Sequence, residues 1–242
     1  QCSWLMFMKS RHFIAAAIKG GSATLDLRLR FEEVDVDNLS QDEARALTLR
    51  TRLNYSTARY QGLGATLEMD NITEIDGDNY ATSPALKNSG NFPGKAIIAD
   101  PEGTEVNQAY ISYKYGETEG KYGRQRINLD NQRFIGGVGF RQNEQTYDAL
   151  SIAHNCTDLN TSVYYAHINN VNRIFGGYSA VGDHNSRTDL ANAKYTGWEA
   201  GIITAYAYLI DNKDFARFST DTYGVRFSGR QKSDALAFGY NL

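Results

Sequence analysis

Three arginines fall close together in "GRQRINLDNQRFIGG", residues 123–137: Arg124, Arg126 and Arg133. A guanidinium is always charged and grips carboxylates or phosphates through two parallel N–H bonds. Such a group either binds a visiting anion or holds a fold together through ion pairs. The composition gives no general reason for the cluster. Lys and Arg total 25 against 28 Asp and Glu, for a net charge of −3. No basic stripe runs along the chain, so nucleic acid is not an expected partner. Arg28 and Arg30 repeat the two-residue spacing, as do Arg50 and Arg52, and Arg141 follows the opening cluster. In a strand, residues two apart share a face. Each pair is therefore expected to present two cations to one side. Arg124 and Arg126 are expected on one side, with Gln125 on the other. Glu68, Asp70, Glu105, Asp130, Glu144 and Asp148 are the carboxylates available to pair with them.

The elements that must position these groups read as strands. "TLDLRLRFE", 24–32, alternates Leu25, Leu27, Leu29 and Phe31 with Asp26, Arg28 and Arg30. "LTLRTRLNY", 47–55, and "GLGATLEMD", 62–70, show the same period of two, which a helix cannot satisfy. Further strands are expected near 105–115, 120–128, 145–154, 161–171, 188–197, 201–210, 220–229 and 234–242, about eleven in all. Tyr is frequent at 16, and the 3 prolines (Pro84, Pro93 and Pro101) share one window, as an all-β chain allows. A short helix over 10–18, stopped by Gly20 and Gly21, is expected before the first strand. The alternative there is a signal-like segment with too short an apolar stretch.

Long and short connections alternate down the chain, as in a barrel with short turns at one end and long loops at the other. No apolar run approaches the roughly 18 residues of a spanning helix, and the mean hydropathy is −0.50. Alternating strands average out as polar, so neither fact excludes a membrane barrel. The expected fold is an antiparallel transmembrane β-barrel over 22–242, preceded by an N-terminal segment, 1–21. Its odd strand number and its end in mid-pattern read as the N-terminal part of a longer barrel. The loop "NLDNQRFIGGVGFRQNEQ", with Phe134 and Phe140 as anchors and Gly136, Gly137 and Gly139 permitting positive φ, is expected to fold inward and narrow a pore. Trp198 and the tyrosines suit aromatic girdles.

Other chemistry is sparse. There is no GxSxG and no HExxH, and His12, His154, His167 and His184 are scattered. His154 and Cys156 lie close, but two ligands do not make a zinc site. No metal, cofactor or catalytic set is expected. A Cys2–Cys156 disulfide requires the fold to bring both together. "DGDN", 76–79, lacks a full calcium pattern and reads as a turn.

The stretch "YGRQRINLDNQRFIGGVGFRQNEQTYDAL", 122–150, resembles the alginate-export family of Gram-negative outer-membrane porins and its porin-like relatives. "DLRLRFE", "ALTLRTRLNY" and "ADPEGTEVNQAYISY" are similar to early segments of that family, and the resemblance covers about 20–242. Members are usually longer. The resemblance implies an outer-membrane channel, not an enzyme, passing anionic solutes or a polyuronate such as alginate. Its pore-lining set would be Arg28, Arg30, Arg50, Arg52, Arg124, Arg126, Arg133 and Arg141, with Asp130, Asp148 and Glu68. The rival readings are a secreted β-sheet enzyme acting on acidic polysaccharide and a non-conducting outer-membrane anchor.

Overall fold

The computed structural model describes residues 14–35, 37, 42–83, 92, 94–232 and 236–242. Its strands are β1 (Ser22–Val34), β2 (Ala44–Ser56), β3 (Leu63–Asn79), β4 (Gly103–Tyr115), β5 (Thr118–Gln125), β6 (Thr146–Cys156), β7 (Thr161–Asn172), β8 (Asp183–Trp198), β9 (Gly201–Ile210), β10 (Thr220–Lys232) and β11 (Ala237–Asn241). They form one 11-stranded sheet in chain order, with every neighbouring pair antiparallel. The turns at 116–117, 157–160 and 199–200 are short and lie at one end of the sheet. The connections 80–102, 126–145, 173–182 and 211–219 are longer and lie at the other.

Each expected strand is present, though β5 ends at Gln125 rather than near 128, and one expected turn is corrected. "DGDN", expected as a turn, belongs to β3, where Asp76 pairs with Leu47 and Asn79 with Arg45. Register shifts between Arg45, Leu47 and Thr48 absorb the irregular segment, so ladder bonding overrides the local turn preference. The N-terminal helix covers 14–19 among the described residues, and 10–13 lie outside them. The Gly20 N–H donates to Ala16 O at 2.9 Å and the Gly21 N–H to Ile18 O at 3.1 Å, which ends the helix where the glycines were expected to end it. A Cβ at Gly21 would come within 2.4 Å of Tyr55 Oη, so glycine lets that ring close over the helix end. No described helix is long and apolar enough to cross a membrane, which says nothing about strands.

The two faces of the sheet are unlike each other. On the outward face, Leu25, Leu27, Leu29 and Phe31 are each more than 60% exposed, and Leu53, Ile111, Tyr122 and Val225 continue the apolar surface across neighbouring strands. Single exposed apolar residues are ordinary, but a contiguous band this broad needs an apolar environment. Trp198, Tyr195, Tyr113 and Tyr115 are exposed near the short-turn end, as an interfacial aromatic girdle requires.

The packed core lies on the inner face. Ile127, Leu129 and Ile135 from the 126–145 connection are buried against Tyr147, Ala149, Ala166, Ile168, Leu190 and Tyr208. A smaller cluster joins Ala44, Ala46, Tyr80, Ala96 and Ile98 beneath the 80–102 connection. The 126–145 connection touches β1 through Arg28 and β10 through Arg226. One loop reaches both because the sheet curls around it.

Candidate functional site

The 126–145 connection folds inward, as its sequence suggested, but its anchors differ from those expected. Phe134 and Phe140 are exposed, while Ile127, Leu129 and Ile135 carry the packing. Gln142 is fully buried and bonds Thr48 Oγ1 at 2.9 Å, and its backbone N–H donates to Asp100 Oδ1 at 2.7 Å. The positive φ values fall on Asp130, Gln132 and Val138 rather than on the loop glycines. Gly136 is needed for close approach instead, since a Cβ there would sit 2.6 Å from Gln132 Cβ.

Most of the arginines near this loop are held by carboxylates. Arg52 binds Asp70 through two bonds, Nε to Oδ1 at 2.7 Å and Nη2 to Oδ2 at 2.6 Å. Its third branch donates to Glu144 Oε1 at 3.0 Å. Arg126 donates from Nε to Glu144 Oε2 at 2.6 Å and from Nη2 to Glu68 Oε1 at 2.9 Å. Glu68 also accepts from Asn54, Asn107 and Gln108. Glu144 is therefore a loop carboxylate clamped by two guanidinium groups. Burial pushes its carboxyl upward, but Arg126 and Arg52 outweigh that and hold it below the ordinary glutamate range. Asp100 goes the other way. Burial dominates and raises it despite Arg30 and Arg141.

Toward β1, Arg50 pairs with Asp26, Arg30 with Glu32, and Arg141 with Glu32 at 2.9 Å. The Phe140 ring lies between cations, 4.0 Å from the Arg30 guanidinium and 5.3 Å from that of Arg141. Arg28 is different. It donates to the carbonyls of Gly139 and Phe140 and forms no ion pair among the described residues. Arg133 is exposed and likewise forms none, with Phe134 as its cation–π neighbour at 5.8 Å.

The expectation that Arg124 and Arg126 share a side is corrected. β5 ends at Gln125, so Arg126 is no longer bound to strand alternation. Arg124 registers opposite Ala109 and Asp148, in the row that holds exposed Leu67 two strands away. It pairs with Asp148 at 2.9 Å on the outward face, near the long-loop end. Arg126 and Gln125 instead reach the inner face. Arg124 and Asp148 are thus separated from the inner cluster. Glu105 serves the 173–182 connection, accepting the Gly177 N–H at 2.7 Å.

Asp130, expected as a carboxylate partner for the arginines, meets two cations that the sequence reading did not name. Its Oδ2 accepts from Tyr208 Oη at 2.7 Å and Asn192 Nδ2 at 2.9 Å. Its Oδ1 lies 3.1 Å from Arg226 Nη2 and 3.4 Å from Lys194 Nζ. One carboxylate here faces two cations. Lys194, Thr204 and Arg226 register across β8, β9 and β10. A cavity of about 280 Å³ adjoins Asp130 and Arg226, lined also by Arg133, Phe134 and Tyr206. Lys194 and Arg226 were missed, although the alternation that singled out Arg28 also places Arg226 between outward Val225 and Phe227. A Cβ at Gly224 would meet Tyr206 Oη at 2.4 Å, so glycine lets that ring lie along the inner wall.

No protein-family model and no curated protein matches the chain. Solved structures do. The Acinetobacter baumannii protein OccAB1 superposes with a TM-score of 0.70 at 13% identity, over 93% of this chain and 52% of that one. Pseudomonas aeruginosa OccK2 (OpdF), solved with glucuronate, gives 0.58 at 12% identity over 93% and 54%. OpdK, an outer membrane protein of the same organism solved with vanillate, gives 0.61 at 12% identity over 93% and 56%. The chain spans about half the length of these structures. At such identities the likeness establishes the fold, an all-β antiparallel barrel wall.

Proposed function

We propose that this chain forms part of a channel in a Gram-negative outer membrane that passes small anionic solutes, carboxylates first among them. The observation that carries this reading is the charge pattern around the inward loop. Arg30, Arg50, Arg52, Arg126 and Arg141 are tied to carboxylates, whereas Arg28, Arg133 and the Lys194–Arg226 pair leave positive charge uncompensated. A ring of such charge at a narrowing selects anions. The first group builds the constriction and the second meets the solute. Glucuronate and vanillate, bound by the similar OccK2 and OpdK, are both carboxylates, which supports this class. A polyuronate such as alginate is the finer cargo suggested by the sequence resemblance. The loop crossing the inner face favours single sugars and small acids over a polymer. The broad outward apolar band speaks against a secreted enzyme, which would have to cover it.

Planar-bilayer recording tests the proposal. The protein is expected to open discrete channels whose reversal potential in a KCl gradient indicates anion preference. Added glucuronate should reduce the chloride current in a concentration-dependent way. Cation preference, or absence of conductance from correctly folded protein, overturns the reading.

A further inference from the structure

At the short-turn end of the sheet, far along β6 from the arginine cluster, the ligand atoms of Glu117, His154 and Cys156 lie within 4.8 Å of one another. The sequence offered only His154 and Cys156. The third group arrives from the β4–β5 turn because β5 pairs with β6, with Thr118 opposite His154. His154 and Cys156 are two apart on one strand and share a face. Glu117 and His154 are each oriented by a neighbour. The Glu117 carboxylate accepts from the Thr157 N–H at 3.2 Å and from the Thr157 hydroxyl. His154 Nδ1 is 2.9 Å from Thr118 Oγ1, leaving Nε2 as the nitrogen for an ion. The Asn155 N–H donates to Glu117 O at 3.1 Å, fixing the turn to the strand end. Among the described residues Cys156 forms no disulfide, and Cys2, its candidate partner, lies outside them.

We propose that Glu117, His154 and Cys156 bind a borderline transition-metal ion, Zn²⁺ first, which staples the β4–β5 turn to the end of β6. Carboxylate, imidazole and thiolate together suit Zn²⁺, and the thiolate disfavours Mg²⁺ and Ca²⁺. Zn–ligand bonds of about 2.0–2.3 Å in a tetrahedron require ligand atoms about 3.5 Å apart. Small side-chain rotations at this accessible rim bring them there. Water fills the fourth position. Binding replaces the thiol proton by the metal, so one proton passes to the buffer for each ion bound.

Cobalt(II) is the probe of choice, because thiolate ligation gives a near-ultraviolet charge-transfer band. The full chain in detergent is used with Cys2→Ser, which leaves Cys156 as its single thiol. One Co²⁺ per chain should bind with that band, and Zn²⁺ should displace it. Cys156→Ser should abolish the band. His154→Ala and Glu117→Ala should each weaken binding about tenfold or more, the scale seen when support of a metal site is lost. Zn²⁺ should also raise the melting temperature of the parent but not of Cys156→Ser. Heat-modifiable migration confirms that each variant is folded. A folded Cys2→Ser protein without the band, or equal affinity across the folded variants, overturns the proposal.

Discussion

Arg28 and Arg52 both face the interior, yet they should respond differently to substitution. Arg52→Ala strips the two-bond partner from Asp70, which is only 2% exposed, and releases one arm of the Glu144 clamp. Removing one partner of a buried pair costs about 3–5 kcal/mol. The variant should unfold at clearly lower denaturant concentration. Arg28→Ala loses only bonds to loop carbonyls, at about 1 kcal/mol. Arg28→Ala and Arg133→Ala should nevertheless lower the anion-to-cation permeability ratio, read as a reversal-potential shift. If Arg52→Ala alters selectivity without loss of stability, the division between scaffold and solute-facing arginines is wrong. Val138 offers a test of the opposite sign. Its φ of 51° is strained for a β-branched residue. Such strain costs about 1–3 kcal/mol, whereas glycine loses about 0.5–1 kcal/mol through chain entropy. Val138→Gly should therefore leave stability unchanged or raise it by about 1 kcal/mol, measured by equilibrium unfolding.

At the scale of the element, the 126–145 loop is held by charge as well as by Ile127, Leu129 and Ile135. Glu144 is below its ordinary value in the folded protein. Its contribution to stability is therefore fully present above its unfolded value, about 4.3, and fades as pH falls through the lower folded value. Asp100 has the opposite sign. Burial raises it, so falling pH through its raised range favours the folded state. Glu144→Gln separates the two, because the Gln cannot titrate. The parent should lose more stability between pH 7 and pH 3 than Glu144→Gln, as followed by melting temperature. An identical acid response in both would show that the clamp does not hold the loop. The hydrophobic anchors do not titrate, so acid should loosen the loop without unfolding the sheet.

For the molecule as a whole, the outward band and the inner core reverse the arrangement of a soluble sandwich. The full protein should partition into detergent and migrate differently on gels before and after boiling. Replacing Leu27 and Leu29 by Arg should abolish that folded form, since each Arg on the lipid face near mid-membrane costs about 2–4 kcal/mol. Neither substitution touches the inner arginines. A protein that stays folded and soluble after both changes would exclude the barrel.

The strands were legible because their signal is local. Leu25, Leu27, Leu29 and Phe31 alternate with Asp26, Arg28 and Arg30, and nothing distant is required to read that period. Hairpin order followed from short turns, and the inward loop from its phenylalanines and glycines, although Ile127, Leu129 and Ile135 proved to be the anchors. Alternation placed Arg28, Arg30, Arg50 and Arg52 on the inner face without reference to any other strand. It failed at Arg124 and Arg126, because β5 stops between them and alternation governs only residues inside a strand. It was silent on which arginines are neutralised, since Glu144 meets Arg52 and Arg126 only when the loop crosses the curled sheet. It was equally silent on Asp130 facing Lys194 and Arg226, and on Glu117 reaching His154 and Cys156 from another hairpin. The chain alone determined the elements and their faces, through interactions between near neighbours. The tertiary structure decided which charges are spent on one another, because that depends on distances between residues far apart in sequence.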